Sequence, residues 1–237
     1  MSAKPRIAMI SALAQSPGPA MAAMAEVWPE AWAHNLIDDA LAADYAAVGA
    51  LTPAIFERFI TLGRYAAGVS DGARQPAGIL FTCSAFRPAI DQVKADLAIP
   101  VVSPNEGAFD EALDLCASAQ DGGRVAILLT FGGSLAPLTA EIAAIALARG
   151  QKAPEVVGVV AHGALEALQA GDGALHDRLA AQAAEQAPAV DVTVIGQFSM
   201  ARALPLIAPY RPEPVLTTPH AAVRKLRRLV EAQAHGQ

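Results

Sequence analysis

Short runs of aliphatic and β-branched residues alternate along this chain with longer, alanine-rich stretches whose apolar positions recur at helical spacing. The runs predict strands over residues 6–10, 46–51, 78–82, 100–103, 124–130, 155–160, 192–195 and 214–217. Between them, Phe56, Phe59, Ile60 and Leu62 crowd one side of the segment that follows Thr52-Pro53. Ile90, Val93 and Leu97 share a helical face, as do Leu138, Ile142 and Leu147, and likewise Val223, Leu226 and Val230. Strands that are apolar almost throughout, separated by helices, imply parallel sheets covered on both faces. The predicted class is α/β.

The pattern also repeats. Arg6-Ile-Ala-Met-Ile10 is matched by Arg124-Val-Ala-Ile-Leu128, each followed by a polar loop rich in glycine and proline. Further along, Ile79-Leu-Phe-Thr-Cys-Ser-Ala-Phe86 is matched by Thr193-Val-Ile-Gly-Gln-Phe-Ser-Met200. Cys83 lies 77 residues beyond Arg6, and Gln197 lies 73 beyond Arg124. A repeat of this length predicts two similar lobes, each a mostly parallel sheet flanked by helices, rather than a solenoid of short units. The expected first lobe is 1–98 plus 214–237, and the expected second lobe is 99–213. Ligands of open α/β sheets bind beyond the carboxyl ends of the strands. The expected site is therefore a cleft between the lobes, lined by loops 11–19, 82–86, 103–106, 130–134, 196–200 and 217–220. Phe81, Phe86, Phe131, Phe198 and Met200 are expected to set its size.

Composition narrows the function. Hydrophobic residues make up 54% and charged residues 17%, which excludes a disordered chain. Alanine supplies 55 of the 237 residues, so much of the apolar fraction is small and suited to helices. The net charge of −6 argues against a nucleic acid or an anionic membrane as partner. No apolar run reaches the ~18–20 residues that a membrane span needs. The first six residues carry Lys4 and Arg6 and lead straight into a strand, unlike a signal peptide, so a cytoplasmic location is expected. Two cysteines are too few for a disulfide framework or a cysteine-based zinc site. There is no His-x-x-x-His or Asp-x-Asp ladder, so no metal is expected. Thr130-Phe-Gly-Gly-Ser134 lacks the Gly-Lys-Ser/Thr ending of a phosphate loop, and 11–19 does not fit a dinucleotide fingerprint.

Cys83 stands at the end of an apolar strand, just before a helix. A helix N-terminus lowers a thiol pKa, and the resulting thiolate can act as base or nucleophile; the alternative is a buried, inert thiol. Cys116 lies among apolar neighbours and reads as core. Thr218 and Pro219 read as the N-cap and first residue of a helix, which places His220 in its first turn. There it is expected to be neutral and able to exchange a proton, or else to be an ordinary surface residue of the cap. His162, after the strand at 155–160, is a weaker candidate. Hydroxyls at strand ends suit the binding of a carboxylate, although caps and turns use the same residue types.

Thr82-Cys83-Ser84, Pro104-Asn105-Glu106 with its following helix, Thr130-Phe131-Gly132 and Thr217-Thr218-Pro219-His220-Ala-Ala-Val occur in an order that resembles the aspartate/glutamate racemase superfamily. That group also includes hydantoin racemase, maleate isomerase and arylmalonate decarboxylase. The resemblance implies a cofactor-independent enzyme, often a homodimer, with one cysteine from each lobe flanking the reacting carbon of a small carboxylate-bearing substrate. One thiol removes a proton from one face and the other returns a proton to the opposite face. The substrate-binding candidates are Ser11, Gln15, Thr82, Ser84, Asn105, Thr130, Gln197 and Thr218; Cys83 matches the first-lobe cysteine, and His220 is the candidate for a second catalytic residue. The departure is Gln197, which stands where the second thiol belongs and does not titrate. Either His220 supplies the second proton, or the chemistry needs only one thiol, as in decarboxylation or addition to an unsaturated acid. The expected class is isomerase. A one-cysteine lyase and a non-catalytic carboxylate-binding protein are the alternatives.

Overall fold

Seven of the predicted strands form where the apolar runs lie, and one does not. The computed structural model describes residues 4–72 and 74–236, so the first three residues of the N-terminal stretch read above fall outside it. The elements run β1 Arg6–Ser11, α1 Pro17–Val27, β2 Trp32–Ile37, α2 Ala40–Val48, α3 Pro53–Gly68, β3 Gly78–Phe81, α4 Arg87–Asp96, β4 Val101–Val102 and α5 Glu106–Leu115. They continue with β5 Arg124–Leu129, α6 Leu135–Ala148, β6 Glu155–Val160, α7 Ala164–Gln169, α8 Gly173–Glu185, β7 Val192–Ile195, α9 Leu204–Ile207, β8 Val215–Thr217 and α10 Thr218–His235.

The strands form two four-stranded sheets, ordered β2-β1-β3-β4 and β6-β5-β7-β8, and every pairing is parallel. The chain divides into two units, 1–107 with 222–237 and 108–221. These limits differ from the expected lobes. β4 hydrogen-bonds to β3, which keeps residues 99–107 with the first sheet. β8 hydrogen-bonds to β7, which moves 214–221 into the second unit.

The expected strand at 46–51 is instead the end of α2 and the loop after it. Its alanines favour helix, and Gly49 ends that helix with a φ of 73°, its N–H bonded to the Tyr45 carbonyl. The strand that does pair there is β2, in register from Arg6–Trp32 to Ser11–Ile37. As an edge strand exposed on both faces it accommodates His34 and Asn35, which break any apolar pattern.

In the first unit, α3 and α4 cover one face of the sheet. Phe59, Phe81 and Phe86 are each at most 2% exposed; Phe59 stacks on Phe81 at 5.5 Å between ring centroids and lies tilted against Phe86 at 5.0 Å. In the second unit, alternate residues of β5 serve opposite layers. Val125, Ile127 and Leu129 pack with Phe109, Leu113, Leu138 and Ile142, while Leu128 packs with Ala180, Ala184, Met200 and Ile207. Among the described residues, no helix is long and apolar enough to cross a membrane, and no group of three His, Cys, Asp or Glu could hold a metal ion.

Candidate active site

In the first unit the site residues gather at the carboxyl ends of β1 and β3. The Thr82 hydroxyl donates to Ser11 Oγ at 2.9 Å, and both side chains are buried. Cys83 follows, with extended backbone, and precedes the 3-10 turn Ser84–Phe86 that leads into α4. Phe86 anchors that turn: it is 1% exposed, tilted against Phe59 and edge-on to Tyr45. The cysteine is thus presented on a short arc fixed at its far end by aromatic packing. Ser84 and Gln15 are exposed, and Asn105 is buried after β4.

Cys83 is half-buried. Burial pushes its thiol pKa up, and a hydrogen bond from the Ala85 backbone only partly opposes this. The expected lowering by a helix N-terminus does not occur. The sulfur meets a 3-10 turn with one bonding amide, which is weaker than its loss of water. At neutral pH Cys83 is a thiol, not a thiolate.

A charged cluster lies nearby in the same unit. The Glu106 carboxylate, at the start of α5, pairs with Lys94 from α4 and with Lys225 from α10, the latter at 2.6 Å. It also accepts from the Ser103 hydroxyl at 3.0 Å. Ser103 Oγ in turn accepts from Arg87, four residues beyond Cys83, at 3.2 Å. Burial opposes ionisation of Glu106, but the two ammonium groups outweigh it and hold the carboxyl at about 2. Nothing in the sequence marks Lys94, Arg87 or Lys225 as members of this group. Their positions, 87, 94 and 225, offer no local signal.

In the second unit the corresponding strand ends bring Thr130 and Gln197 together. Gln197 Oε1 accepts from the Thr130 backbone N–H and from its hydroxyl, both at 2.8 Å. The Gln197 NH2 group has no hydrogen-bond partner among the described residues. At the end of β8, Thr217 Oγ1 lies 2.6 Å from His220 Nδ1 and orients the ring. Thr218 is fully buried, and its hydroxyl has no hydrogen-bond partner among the described residues. The helix starts at Thr218 itself, so the residue preceding it is Thr217 rather than the expected cap. His162 is exposed in the turn after β6. Cys116 is 4% exposed in the core beyond α5, as read from its neighbours. Phe81, Phe86, Phe198 and Met200, expected to shape a pocket, are core residues instead. Phe131 alone among the five is exposed, at 58%.

The two sheets can be compared residue by residue through their own registers. Ile10 pairs with Phe81 in the first and Leu128 with Ile195 in the second. The next backbone bond is Thr82 N–H to the Ile10 carbonyl in one and Gly196 N–H to the Leu128 carbonyl in the other. Cys83 and Gln197 therefore hold the same position, and each precedes a 3-10 turn.

No family model matches the sequence, and no curated protein sequence matches it. Solved structures do. A glutamate racemase from Bacillus anthracis superposes with a TM-score of 0.62 at 12% identity, covering 98% of this chain and 83% of that one. The chain has the aspartate/glutamate racemase fold. Allantoin racemase from Klebsiella pneumoniae gives a TM-score of 0.65 at 19% identity, over 97% of this chain and 89% of that one. Unliganded arylmalonate decarboxylase gives 0.62 at 19%, over 96% and 93%. The racemase fold is thus shared with enzymes named for two different reactions.

Proposed function

We propose that this protein is a cofactor-independent isomerase that moves a proton on the carbon beside the carboxylate of a small substrate, with Cys83 as the proton donor. The observation that carries this reading is the matched register. Cys83 is the only cysteine among the described residues at a strand carboxyl end, and its counterpart is Gln197. Because burial keeps Cys83 protonated, its role is to deliver a proton rather than to remove one. Racemisation then needs a separate base. That role falls to the His220 imidazole, oriented by Thr217. The imidazole takes the α-proton, the electron pair enters the carboxylate as an enediolate, and the Cys83 thiol protonates the carbon. Solvent returns a proton to sulfur and removes one from the imidazole. Ser11, Thr82 and the free NH2 of Gln197 are polar groups suited to the carboxylate, whose developing charge they offset.

A second reading is favoured by the same protonated thiol together with the non-titrating Gln197. In decarboxylation, loss of CO2 leaves the electron pair on the carbon, and a single thiol delivers the only proton needed. No base takes part. The two readings separate by nuclear magnetic resonance in D2O with amino acids, hydantoins, dicarboxylates and arylmalonates as substrates. The isomerase reading predicts solvent deuterium at the α-carbon with the carboxylate retained, abolished by His220→Gln. The lyase reading predicts CO2 release that His220→Gln leaves in place. Absence of both reactions across these substrate classes would overturn the proposal.

A further inference from the structure

We propose that Phe131 sets the substrate class of the candidate site: the side chain on the reacting carbon is uncharged and apolar, rather than one ending in a second carboxylate. The inference rests on the proposed function in one respect, that these strand ends are where the substrate's carboxylate binds. An exposed ring and a lack of positive charge both point to it.

A single exposed apolar side chain is ordinary on a protein surface. The place of this one is not. Phe131 is 58% exposed and directly follows Thr130, whose N–H and hydroxyl are both bonded to Gln197. The registers make Leu128 equivalent to Ile10 of the first unit. Phe131 lies three residues past Leu128, and Leu13 lies three past Ile10. Leu13 is exposed as well, at 41%. Each unit therefore presents one apolar side chain just beyond an inner strand of its sheet. Glycine at 133 sets where the Phe131 ring lies. Outside its chain neighbours, the three atoms nearest a Cβ there would all be carbons of that ring, with Cζ at 2.6 Å. Gly133 does not have a positive φ, so its backbone would accept alanine. The missing side chain is what lets the ring rest against the turn Gly132–Ser134.

Recognition of a side-chain carboxylate ordinarily uses arginine or lysine, since a carboxylate stripped of water needs a charged partner. Loops 11–19, 82–86, 103–106, 130–134, 196–200 and 217–220 hold neither residue. The arginines that follow two of them, Arg87 and Arg202, are bonded to Asp91 and Asp177. Lys94 and Lys225 are paired with Glu106. The hydroxyls and the amide at the strand ends serve one carboxylate as neutral donors and leave no counter-charge for another. A phenyl or branched alkyl group, by contrast, gains from contact with the Phe131 ring.

The test is isothermal titration calorimetry with 3-phenylpropionate and succinate, two acids that differ only in carrying a phenyl group or a carboxylate on the far carbon. 3-Phenylpropionate is expected to bind about tenfold more tightly or better, and Phe131→Ala to abolish the difference. Phe131 is exposed, so the variant should keep the wild-type circular dichroism. Gly133→Ala pushes the ring aside. It is expected to weaken 3-phenylpropionate by about threefold or more in the wild type and to have no effect in the Phe131→Ala background. Succinate bound as tightly as 3-phenylpropionate, binding of neither acid, or a preference that survives Phe131→Ala would each overturn the proposal. A Gly133→Ala protein with unchanged affinity would overturn the placement of the ring. If the preference holds and no substrate turns over, the proposed reaction fails while this assignment stands.

Discussion

Replacing Glu106 by glutamine removes one negative charge and leaves Lys94 and Lys225 facing each other around a neutral amide. The three side chains are 14, 23 and 18% exposed, too enclosed for water to screen them fully. Holding the carboxyl at about 2 instead of its ordinary 4.5 corresponds to stabilisation of the folded state on the order of 3 kcal/mol. That lies between an exposed pair, worth ~1 kcal/mol or less, and the ~3–5 kcal/mol lost when a buried pair is broken. The folded value is below the ordinary one. The contribution is therefore complete above about pH 4.5 and is lost as pH falls from there through about 2. Urea unfolding followed by tryptophan fluorescence is the assay. Trp28 and Trp32 are the only tryptophans, and both lie in the first unit with Glu106. Glu106→Gln is expected to lower that unit's stability at pH 7 by on the order of 3 kcal/mol, and the gap to the wild type should shrink steadily toward pH 2. A gap below ~1 kcal/mol, or one unchanged between pH 7 and pH 3, would refute the electrostatic account of the cluster.

Two further predictions follow from the thiol and from its counterpart. Alkylation of the native protein by iodoacetamide should report Cys83, since Cys116 is buried, and its rate should rise through a midpoint above the ordinary thiol value of ~8.5; a midpoint near pH 7 would contradict the protonated thiol. Gln197→Ala removes the amide offered to the carboxylate at the matched register, and α-hydrogen exchange on the protein's substrate should fall by about tenfold or more. An unchanged rate with the fold intact would mean that the amide has no part in holding the carboxylate.

β1, β3 and β7 were legible in the sequence because both of their faces are buried, which leaves little room for polar residues. β2 was not, because an edge strand with two partly exposed faces tolerates Trp32, His34 and Asn35 together. The match of Cys83 to Gln197 was legible because an internal repeat preserves the order of strand, turn and helix. The raised thiol was not, since it depends on how much water the fold removes from sulfur, a quantity that Thr82-Cys83-Ser84 does not encode. Neither were the two lysines on Glu106. They come from α4 and α10, which the chain brings to α5 from 12 and 119 residues away. Phe81, Phe86 and Phe198, which pack in the core, show the same limit: phenylalanine beside a strand end fits a core and a cleft equally well until packing decides.

The proposed chemistry depends on the Cys83 sulfur, and Cys83→Ala measured beside the wild type in a turnover assay tests that dependence most directly. Cys83 packs at the margin of the first-unit core, so the variant should fold, with a melting temperature close to that of the wild type. Turnover should drop by about a hundredfold or more, the usual range for loss of a positioned proton donor. A folded Cys83→Ala that turns over at the wild-type rate would contradict the account.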